Sequence, residues 1–332
     1  MKNRRALLAG AISALALLLC MFLSVAYGAK SVSMHDVWEA FFSAGTEKFE
    51  SSVVLTRIPR TVFGVLAGAA LAVSGALMQS VTRNPIADPS ILGVNTGASL
   101  FVVCGIAFFH INTGSQFIWL SFAGAAITAV FVYGLASAGH AGATPIKLAM
   151  SGAAAATALQ SLVNAVMLPN SQVMDQFRFW QVGSISGADW SDIKVMLPYL
   201  TVGFVISFML APHLNTLALG DDTATGLGMN VVRIRALAAL AGVLLCASTT
   251  ALAGPIGFVG LMVPHLFRLV LGPDMRRLLP FSAVGGSCLL LLADVAGRLL
   301  GRPGELESGI VTALAGAPVF IFIIRKVKVR AL

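Results

Sequence analysis

Asp294 and Arg298 lie four residues apart inside an apolar run near the C-terminus. This spacing places both side chains on one face of a helix. An acidic residue inside a membrane is costly enough that a paired or functional role is expected. Asp294 could pair with Arg298, or Arg298 could be free to hold a carboxylate of another protein, which a guanidinium binds through two parallel hydrogen bonds. Sequence alone leaves both alternatives open.

Two further arginines, Arg57 and Arg60, flank Pro59 just before another apolar run. They could be ordinary interfacial arginines, with aliphatic stems along the membrane and charged heads in water. In the topology derived below they lie outside the cytoplasm, where the positive-inside rule disfavours arginine. Their presence there therefore indicates a specific task.

No set of side chains predicts catalysis or a metal site. No nucleophile and base are arranged together, the five histidines are dispersed, and the four cysteines fall inside apolar runs, where they are predicted to be small core residues. Arg83-Asn84-Pro85 with Asp88-Pro89 has the look of a catalytic loop. The prolines and the asparagine better predict a break that ends one helix and begins another.

A polar stripe interrupts one apolar run at i, i+3, i+4 and i+7 spacing, formed by Thr157, Gln160, Ser161 and Asn164. In a membrane helix such residues could form hydrogen bonds to neighbouring helices. Alternatively, they could line a polar pathway.

Composition defines the elements that must position these residues. The 332 residues are 57% hydrophobic and only 11% charged, whereas soluble domains carry about 25% charged residues. Mean hydropathy is +0.88 and the pI is near 9.7. Because the basic residues lie between the apolar runs, they indicate membrane topology and not nucleic-acid binding. The protein is therefore predicted to be embedded in lipid.

Ten apolar runs are predicted to be membrane helices: 6–27, 61–81, 91–110, 117–138, 146–168, 195–211, 236–253, 256–272, 280–300 and 309–324. The first could pass for a signal peptide, but its 22 residues exceed a usual h-region, so it is predicted to span. An even number places both termini on one side. If that side is cytoplasmic, 14 lysines and arginines lie inside against 8 outside, as the positive-inside rule requires. Segments 28–60 and 169–194 are then extracytoplasmic loops, and the short gap at Gly254-Pro255 is compatible with a broken helix.

The cytoplasmic segment 214–230, LNTLALGDDTATGLGMN, is acidic and half apolar between two membrane-length runs. Asp221 and Asp222 suit the first turn of a short helix, and Gly226 and Gly228 suit its end. Leucines and Thr223 share one face of that helix. An ordinary connection is one alternative. An apolar face favours the other, a docking surface for a partner protein.

Four stretches together resemble the FecCD-type permeases, the membrane subunits of ABC importers for iron–siderophore complexes, haem and vitamin B12. They are RIPRTVFGVLAGAALAVSGALMQSVTRNPIADPSILGVNTGAS, FRFWQVGSISGADW, the segment 214–230, and GPIGFVGLMVPHLFRLVLGPDMRRLLPFSA with LLLADVAGRLL and GAPVFIFIIRK. The resemblance runs in order from about residue 50 to the C-terminus. FRFWQVGS and GDDTATGLG are most similar to the ferric-siderophore members.

The resemblance implies an all-α polytopic membrane protein of about ten transmembrane helices, with the type II ABC importer permease fold, in one domain spanning 1–332. It implies that 214–230 rests on a cytoplasmic ATPase subunit dimer, through Leu219, Gly220, Asp221, Asp222, Thr223, Ala224, Gly226, Leu227 and Gly228. None of the seven lysines follows a glycine, so the chain lacks the P-loop motif. The chain is therefore not expected to be an enzyme or to hold a cofactor, and ATP with Mg²⁺ would belong to the partner.

Further roles follow from the same resemblance. Arg57, Arg60, Arg298 and Arg302 would dock the acidic lobes of an extracytoplasmic substrate-binding protein. The stripe Thr157, Gln160, Ser161 and Asn164 would line the central pathway, with Thr144 and Pro145 near the cytoplasmic gate. A second permease half, identical or paralogous, would complete the pathway, and the surrounding partner would be membrane lipid.

Other solutes and another class of transporter remain as alternatives. The same machinery could import haem or vitamin B12. A secondary transporter driven by an ion gradient would need paired acids in the middle of the membrane. Asp294 comes nearest to that requirement in this sequence.

Overall fold

The computed structural model describes residues 2–30, 32–33, 35, 38, 49–111, 113–138 and 144–326. Within these ranges all regular structure is helical, as predicted. The α-helices are α1 Lys2–Ala26, α2 Phe49–Thr82, α3 Val94–Phe109, α4 Gly114–Ser137, α5 Pro145–Met167, α6 Ser171–Val182, α7 Trp190–Leu217, α8 Asp221–Gly226, α9 Val231–Ala253, α10 Val259–Leu271, α11 Met275–Leu300 and α12 Ser308–Lys326. A 3₁₀ helix, Pro89–Leu92, precedes α3.

Each of the ten predicted apolar runs overlaps a helix, although the run 256–272 begins within the interruption before α10. Seven helices within the described ranges are long and apolar enough to cross a membrane: α1, α2, α4, α5, α7, α9 and α11. The apolar parts of α3, α10 and α12 are shorter. The 13 residues of α10 rise about 20 Å, less than the roughly 30 Å of hydrocarbon. Helix α10 is therefore too short to cross the membrane by itself.

The backbone is broken where the prolines predicted a break. After α2, Arg83 adopts a positive φ of 50°. Asp88 then begins the 3₁₀ helix by accepting the Ser90 backbone N–H at 2.7 Å. Between α9 and α10, residues 254–258 form the interruption expected at Gly254-Pro255, where Gly254 and Phe258 have φ of 71° and 68°. Proline and positive-φ residues end helices here because neither continues the helical hydrogen-bond ladder.

Helix α2 lies at the centre of one group of helices and contacts α1, α7, α9, α10 and α11. Glycines allow this close packing. A Cβ on Gly75 would overlap the carbonyl oxygen of Gly260 on α10, and a Cβ on Gly68 would overlap that of Gly286 on α11. Small residues permit such backbone contacts in membranes, where packing and not the hydrophobic effect drives association.

A second group consists of α3, α4, α5 and α6. Its core includes Val102, Ile106, Val163 and Phe177, from α3, α5 and α6. The segments predicted as loops, 28–60 and 169–194, contain helical residues, because α2 begins at Phe49 and α6 lies within the second. In 169–194 the buried Val173 and Phe177 give α6 an apolar face that loop composition conceals.

Two ends of the bundle carry the predicted functional residues. One end holds the last turn of α1, the first turns of α2, the last turn of α11 and the turn 301–307, and we call it the Glu305 end. The other holds the last turns of α2 and α7, the helix α8 and the first turn of α11, and we call it the Asp221 end. The 34 residues of α2 rise about 50 Å, so this helix joins the two ends.

Candidate functional site

The segment 214–230 forms the short helix that its sequence predicted. Helix α8 starts after Gly220, whose φ is 113°, and has Asp221 and Asp222 in its first turn. Gly228, with φ of 81°, ends the turn that follows. These backbone angles are costly for residues with a Cβ, so glycines fix both limits of the helix.

Two arginines hold α8 against the bundle through Asp221. Arg83, just after α2, donates from Nη2 to Asp221 Oδ1 and to the Leu217 carbonyl oxygen, the latter at 2.9 Å. Arg235, in the first turns of α9, is buried and donates to the two carboxylate oxygens of Asp221 at 3.1 and 3.2 Å. The sequence analysis missed both partners, because residues 138 and 14 positions away share no helix face with Asp221.

The outer face of this segment exposes two leucines beside polar residues. Leu219 and Leu227 are 63% and 67% exposed, and Thr223 is exposed with them. Ala224 is fully buried and packs toward the bundle, and its predicted part in the contact with the ATPase stays a prediction. Helix periodicity explains its burial, because one residue of a short helix must face the protein that carries it.

A hydrogen-bonded pair beside α8 fixes the start of α11. Asn215 on α7 donates from Nδ2 to Asp274 Oδ1 at 2.6 Å and accepts the Met275 backbone N–H at 2.8 Å. Asp274 also caps α11 by accepting the Arg276 backbone N–H at 3.1 Å. The hydrogen bond from Asn215, followed by the one from Arg276, lowers the pKa of Asp274 because both favour the ionised carboxylate.

At the Glu305 end, one buried carboxylate is shared by two arginines. Asp294, 1% exposed, accepts from Arg60 Nη2 at 2.7 Å and from Arg298 Nη2 at 2.8 Å. The pairing of Asp294 with Arg298, one of the two alternatives from sequence, is therefore present. Arg60 Nη1 also binds Glu305 Oε2 at 2.8 Å. Glu305 escaped the sequence analysis because it lies in a turn, without a helix face to relate it to Arg60.

The remaining contacts of these arginines are with the last turn of α1 and the residues after it. Arg57 donates to the carbonyl oxygens of Val25, Ala26 and Lys30 at 2.8 to 3.1 Å. Arg298 donates to the carbonyl and hydroxyl oxygens of Ser24, and Arg302 to the Gly28 carbonyl oxygen at 2.7 Å.

The four arginines differ in how far they are buried. Arg57 and Arg298 are buried, Arg60 is mostly buried, and Arg302 is exposed beside the exposed Glu305. Buried arginines that satisfy unpaired carbonyls at a helix C-terminus stabilise the fold. Arg302 and Glu305 are the charged groups of this set that another protein can reach directly. The docking role predicted for all four arginines stays a prediction.

The polar stripe on α5 makes its described hydrogen bonds within its own helix. Thr157 donates to the Ala153 carbonyl oxygen, Ser161 to that of Thr157, and Gln160 to the Asn164 side chain. Thr157, Ser161 and Asn164 are exposed. Within the described residues the stripe thus faces outward and does not join α5 to another helix. Thr144 caps this helix by accepting the Lys147 backbone N–H at 3.3 Å, and Pro145 is its first residue.

Comparisons with known proteins agree over nearly the whole chain. The family model described as the FecCD transport family matches residues 16–326. YfiZ of Bacillus subtilis, named as a probable siderophore transport system permease protein, is 41% identical over 310 residues, with 93% of each chain covered. The ferric enterobactin transport system permease protein FepD of Escherichia coli is 42% identical over 313 residues, covering 94% of this chain and 93% of that one. A solved metal-chelate type ABC transporter in an inward-facing conformation superposes with a TM-score of 0.82 at 26% identity, covering 95% of this chain and 97% of the other.

Proposed function

The chain belongs to the FecCD transport family, and we propose that it is the membrane permease of an ATP-binding-cassette importer for ferric siderophores. The observation that carries this function is the helix α8, which Asp221 fixes to the bundle while Leu219 and Leu227 stay exposed. A short helix with exposed leucines suits a groove on a separate motor subunit. The relatives named above transport siderophores, and ferric enterobactin in the case of FepD. A Bacillus subtilis relative that is 42% identical imports Fe(3+)-citrate. A bulky ferric chelate is the substrate class that these relatives share. We therefore propose a ferric chelate as the substrate in preference to haem or vitamin B12.

We place the Asp221 end in the cytoplasm and the Glu305 end outside, with both termini cytoplasmic. The excess of basic residues between the runs supports this orientation. ATP and Mg²⁺ then bind to two copies of a partner subunit that rest against α8. The substrate-binding protein docks at the opposite end.

Docking at the Glu305 end would begin at the exposed Arg302. Arg60 would then exchange the carboxylate of Glu305 for one from the binding protein. Glu305 already holds Arg60 Nη1 at 2.8 Å. An acidic residue of the binding protein could replace Glu305 there without exposing Asp294, because Arg60 Nη2 keeps its bond to that carboxylate. Arg57 and Arg298 would support this surface by fixing the last turn of α1.

Helix α2 offers a direct connection between docking and ATP hydrolysis. Arg60 lies in its first half, and Arg83, which holds Asp221 of α8, comes directly after its end. Movement of α8 by the motor would therefore pull on the helix that carries the docking arginine. Alternating access requires an outward-facing and an inward-facing state. A helix that connects the two ends would let docking and ATP hydrolysis each shift the equilibrium between these states.

The pathway would lie between two permease halves, along the polar face of α5. An outward-facing polar stripe on a membrane helix is costly against lipid. A second half, whether identical or paralogous, would remove that cost by enclosing the stripe with water and substrate. Thr144 and Pro145, at the start of α5, would then lie near the cytoplasmic gate.

A secondary transporter fits the charge arrangement less well. Asp294 is held by two arginines and lies near the Glu305 end. A secondary transporter would need paired acids near the middle of the membrane, whereas Asp294 is paired with arginines. The arrangement favours the ATP-driven importer.

The decisive experiment replaces Leu227 with Asp. The change places a charge in the contact with the ATPase and should cost several kcal/mol of association. We expect normal insertion and binding-protein docking, together with loss of uptake, of stimulated ATP hydrolysis and of ATPase co-purification. Leu219→Asp should behave in the same way, and Asp222→Asn serves as the matched control. If Leu227→Asp keeps wild-type ATP hydrolysis and wild-type co-purification of the ATPase, segment 214–230 only connects two helices and does not contact the motor.

A further inference from the structure

Asn215 joins the last turn of α7 to the start of α11. Its Nδ2 donates to Asp274 Oδ1 at 2.6 Å, and its Oδ1 accepts the Met275 backbone N–H at 2.8 Å. Both polar ends of the amide are therefore used, one on the capping residue of α11 and one on its first residue. A hydrogen bond to a carboxylate is stronger than one between neutral groups, so α11 is firmly attached to α7 at this point.

The same turn of α7 also holds α2. Arg83, directly after α2, donates to the Leu217 carbonyl oxygen at 2.9 Å and to Asp221 of α8. Asn215 and Leu217 are two residues apart, and α8 begins four residues after Leu217. The last turn of α7 is therefore attached to α2 and to α11 and leads directly into α8. A displacement of α8 would reach both long helices through this turn.

Helices α2 and α11 are also joined at two further levels. Near the middle of the bundle, Ser287 Oγ of α11 donates to the Val65 carbonyl oxygen of α2 at 2.7 Å, beside the close glycine contact of these helices. At the Glu305 end, Arg60 of α2 binds Asp294 of α11 at 2.7 Å. A displacement of α2 alone would break these contacts. The two helices keep them only by moving together, which requires an attachment of α11 at the Asp221 end.

We propose that Asn215 is a positioning residue for transport, which makes α11 move with α2 when α8 is displaced. The inference rests on the proposed function and adds a second connection between its two ends. From Met275 to Asp294, α11 rises about 30 Å. The amide of Asn215 would thus control the position of the carboxylate that holds Arg60. Without this amide, the binding protein would still dock, but docking would no longer raise ATP hydrolysis to its full extent.

The test measures ATP hydrolysis by the complete complex, as the ratio of the rate with loaded binding protein to the rate without it. Asn215→Ala should lower this ratio about fivefold, the lower limit of a usual coupling between two sites. The ATPase should still co-purify, because Leu219 and Leu227 are unchanged. The matched control is Asn170→Ala, which removes a cap that accepts N–H groups of α6 at 3.0 and 3.3 Å. The control should keep the wild-type ratio.

An exchange of the two side chains tests the hydrogen bond itself. Asn215→Asp alone places two carboxylates in contact, which disfavours both charges, and should lower the ratio as Asn215→Ala does. When Asp274→Asn is added, the amide and the carboxylate exchange positions and an N–H···O bond can form again. The Met275 and Arg276 N–H groups also keep side-chain oxygens as acceptors. The double variant should therefore regain most of the wild-type ratio.

Three results would overturn this role for Asn215. A wild-type ratio in Asn215→Ala would leave the residue as a support of the fold. An equal fall of the ratio in Asn215→Ala and Asn170→Ala would assign the effect to lost stability. A folded double variant whose ratio stays as low as that of Asn215→Asp would exclude the hydrogen bond as the cause, and this comparison decides if Asn215→Ala does not fold. Failure of the proposed function is distinct, because the wild-type complex would then show no stimulation by loaded binding protein.

Discussion

Asp294 organises the Glu305 end because its buried carboxylate receives two arginines from different helices. Arg298 comes from the same helix, and Arg60 comes from α2. Removing one member of a buried charge group leaves the others uncompensated, which typically costs about 3–5 kcal/mol. The structure therefore separates arginines that maintain the fold from arginines that can reach a partner.

Arg298→Gln and Arg302→Glu should fail in different ways. Arg298→Gln should lower the unfolding temperature and the yield of protein. The change removes the positive charge that neutralises Asp294 and the N–H groups that donate to the Ser24 oxygens. Arg302→Glu should fold normally and weaken binding-protein affinity, because its side chain is exposed. The measurements are thermal unfolding in detergent and affinity for loaded binding protein. If the Arg298→Gln protein is as stable as wild type but no longer docks the binding protein, Arg298 has a docking role and not a structural one.

Asp221 and Asp222 are neighbours with different surroundings. Asp221 is held by Arg83 and Arg235, whereas Asp222 is exposed, and among the described residues its side chain forms no hydrogen bond or ion pair. Asp221→Asn should release α8 and lower stimulated ATP hydrolysis several-fold, while Asp222→Asn should stay near wild type. Hydrolysis by the complete complex with loaded binding protein measures both. Equal effects of the two changes would mean that α8 is not held through Asp221.

At the scale of elements, helices meet at glycines and begin at caps. Gly75→Val should prevent α2 from packing on α10, because even a Cβ would overlap the Gly260 backbone. Gly134→Val is the control, since no atom lies within 4 Å of a Cβ there. We expect Gly75→Val to give aggregated protein in size-exclusion chromatography and Gly134→Val to elute as wild type. A monodisperse Gly75→Val would mean that α10 can move aside.

The cap of α11 should give a pH-dependent contribution to stability. Asp274→Ala should cost about 1 kcal/mol, a usual value for a lost N-cap. The folded-state pKa of Asp274 is lowered, so its contribution is complete above its unfolded pKa of about 3.9 and is lost as the pH falls below that value. The difference in unfolding temperature between wild type and Asp274→Ala should therefore be full at pH 7 and shrink below about pH 4. A difference independent of pH would exclude the carboxylate as its source.

At the scale of the whole molecule, a single copy of the chain leaves the polar face of α5 exposed. Thr157 lies near the middle of α5, and Val205 is comparably exposed near the middle of α7. In a protein lacking its native cysteines, Thr157→Cys should react with a water-soluble maleimide in membranes, because the pathway proposed along α5 would admit water. Val205→Cys should react far more slowly, because it faces lipid. Equal labelling would remove α5 from the pathway.

The sequence by itself determined the features that depend on local pattern. Apolar length predicted the ten apolar helices. The prolines and the asparagine of 83–89 predicted one break, and Gly254-Pro255 predicted another. The acids and glycines of 214–230 predicted the limits of α8. These features follow from hydropathy and backbone sterics, which act between residues close together in the chain.

Only the tertiary structure decided which charges meet. Arg60 and Asp294 are 234 residues apart, and Arg83 and Asp221 are 138 apart. No periodicity relates such residues, because the contacts depend on how the helices pack around α2. For the same reason the burial of Arg57 and Arg298, and the exposure of Arg302, could not be read from four similar arginines beside apolar runs. Packing gives residues of one type different surroundings, and their surroundings determine whether they hold the fold or face a partner.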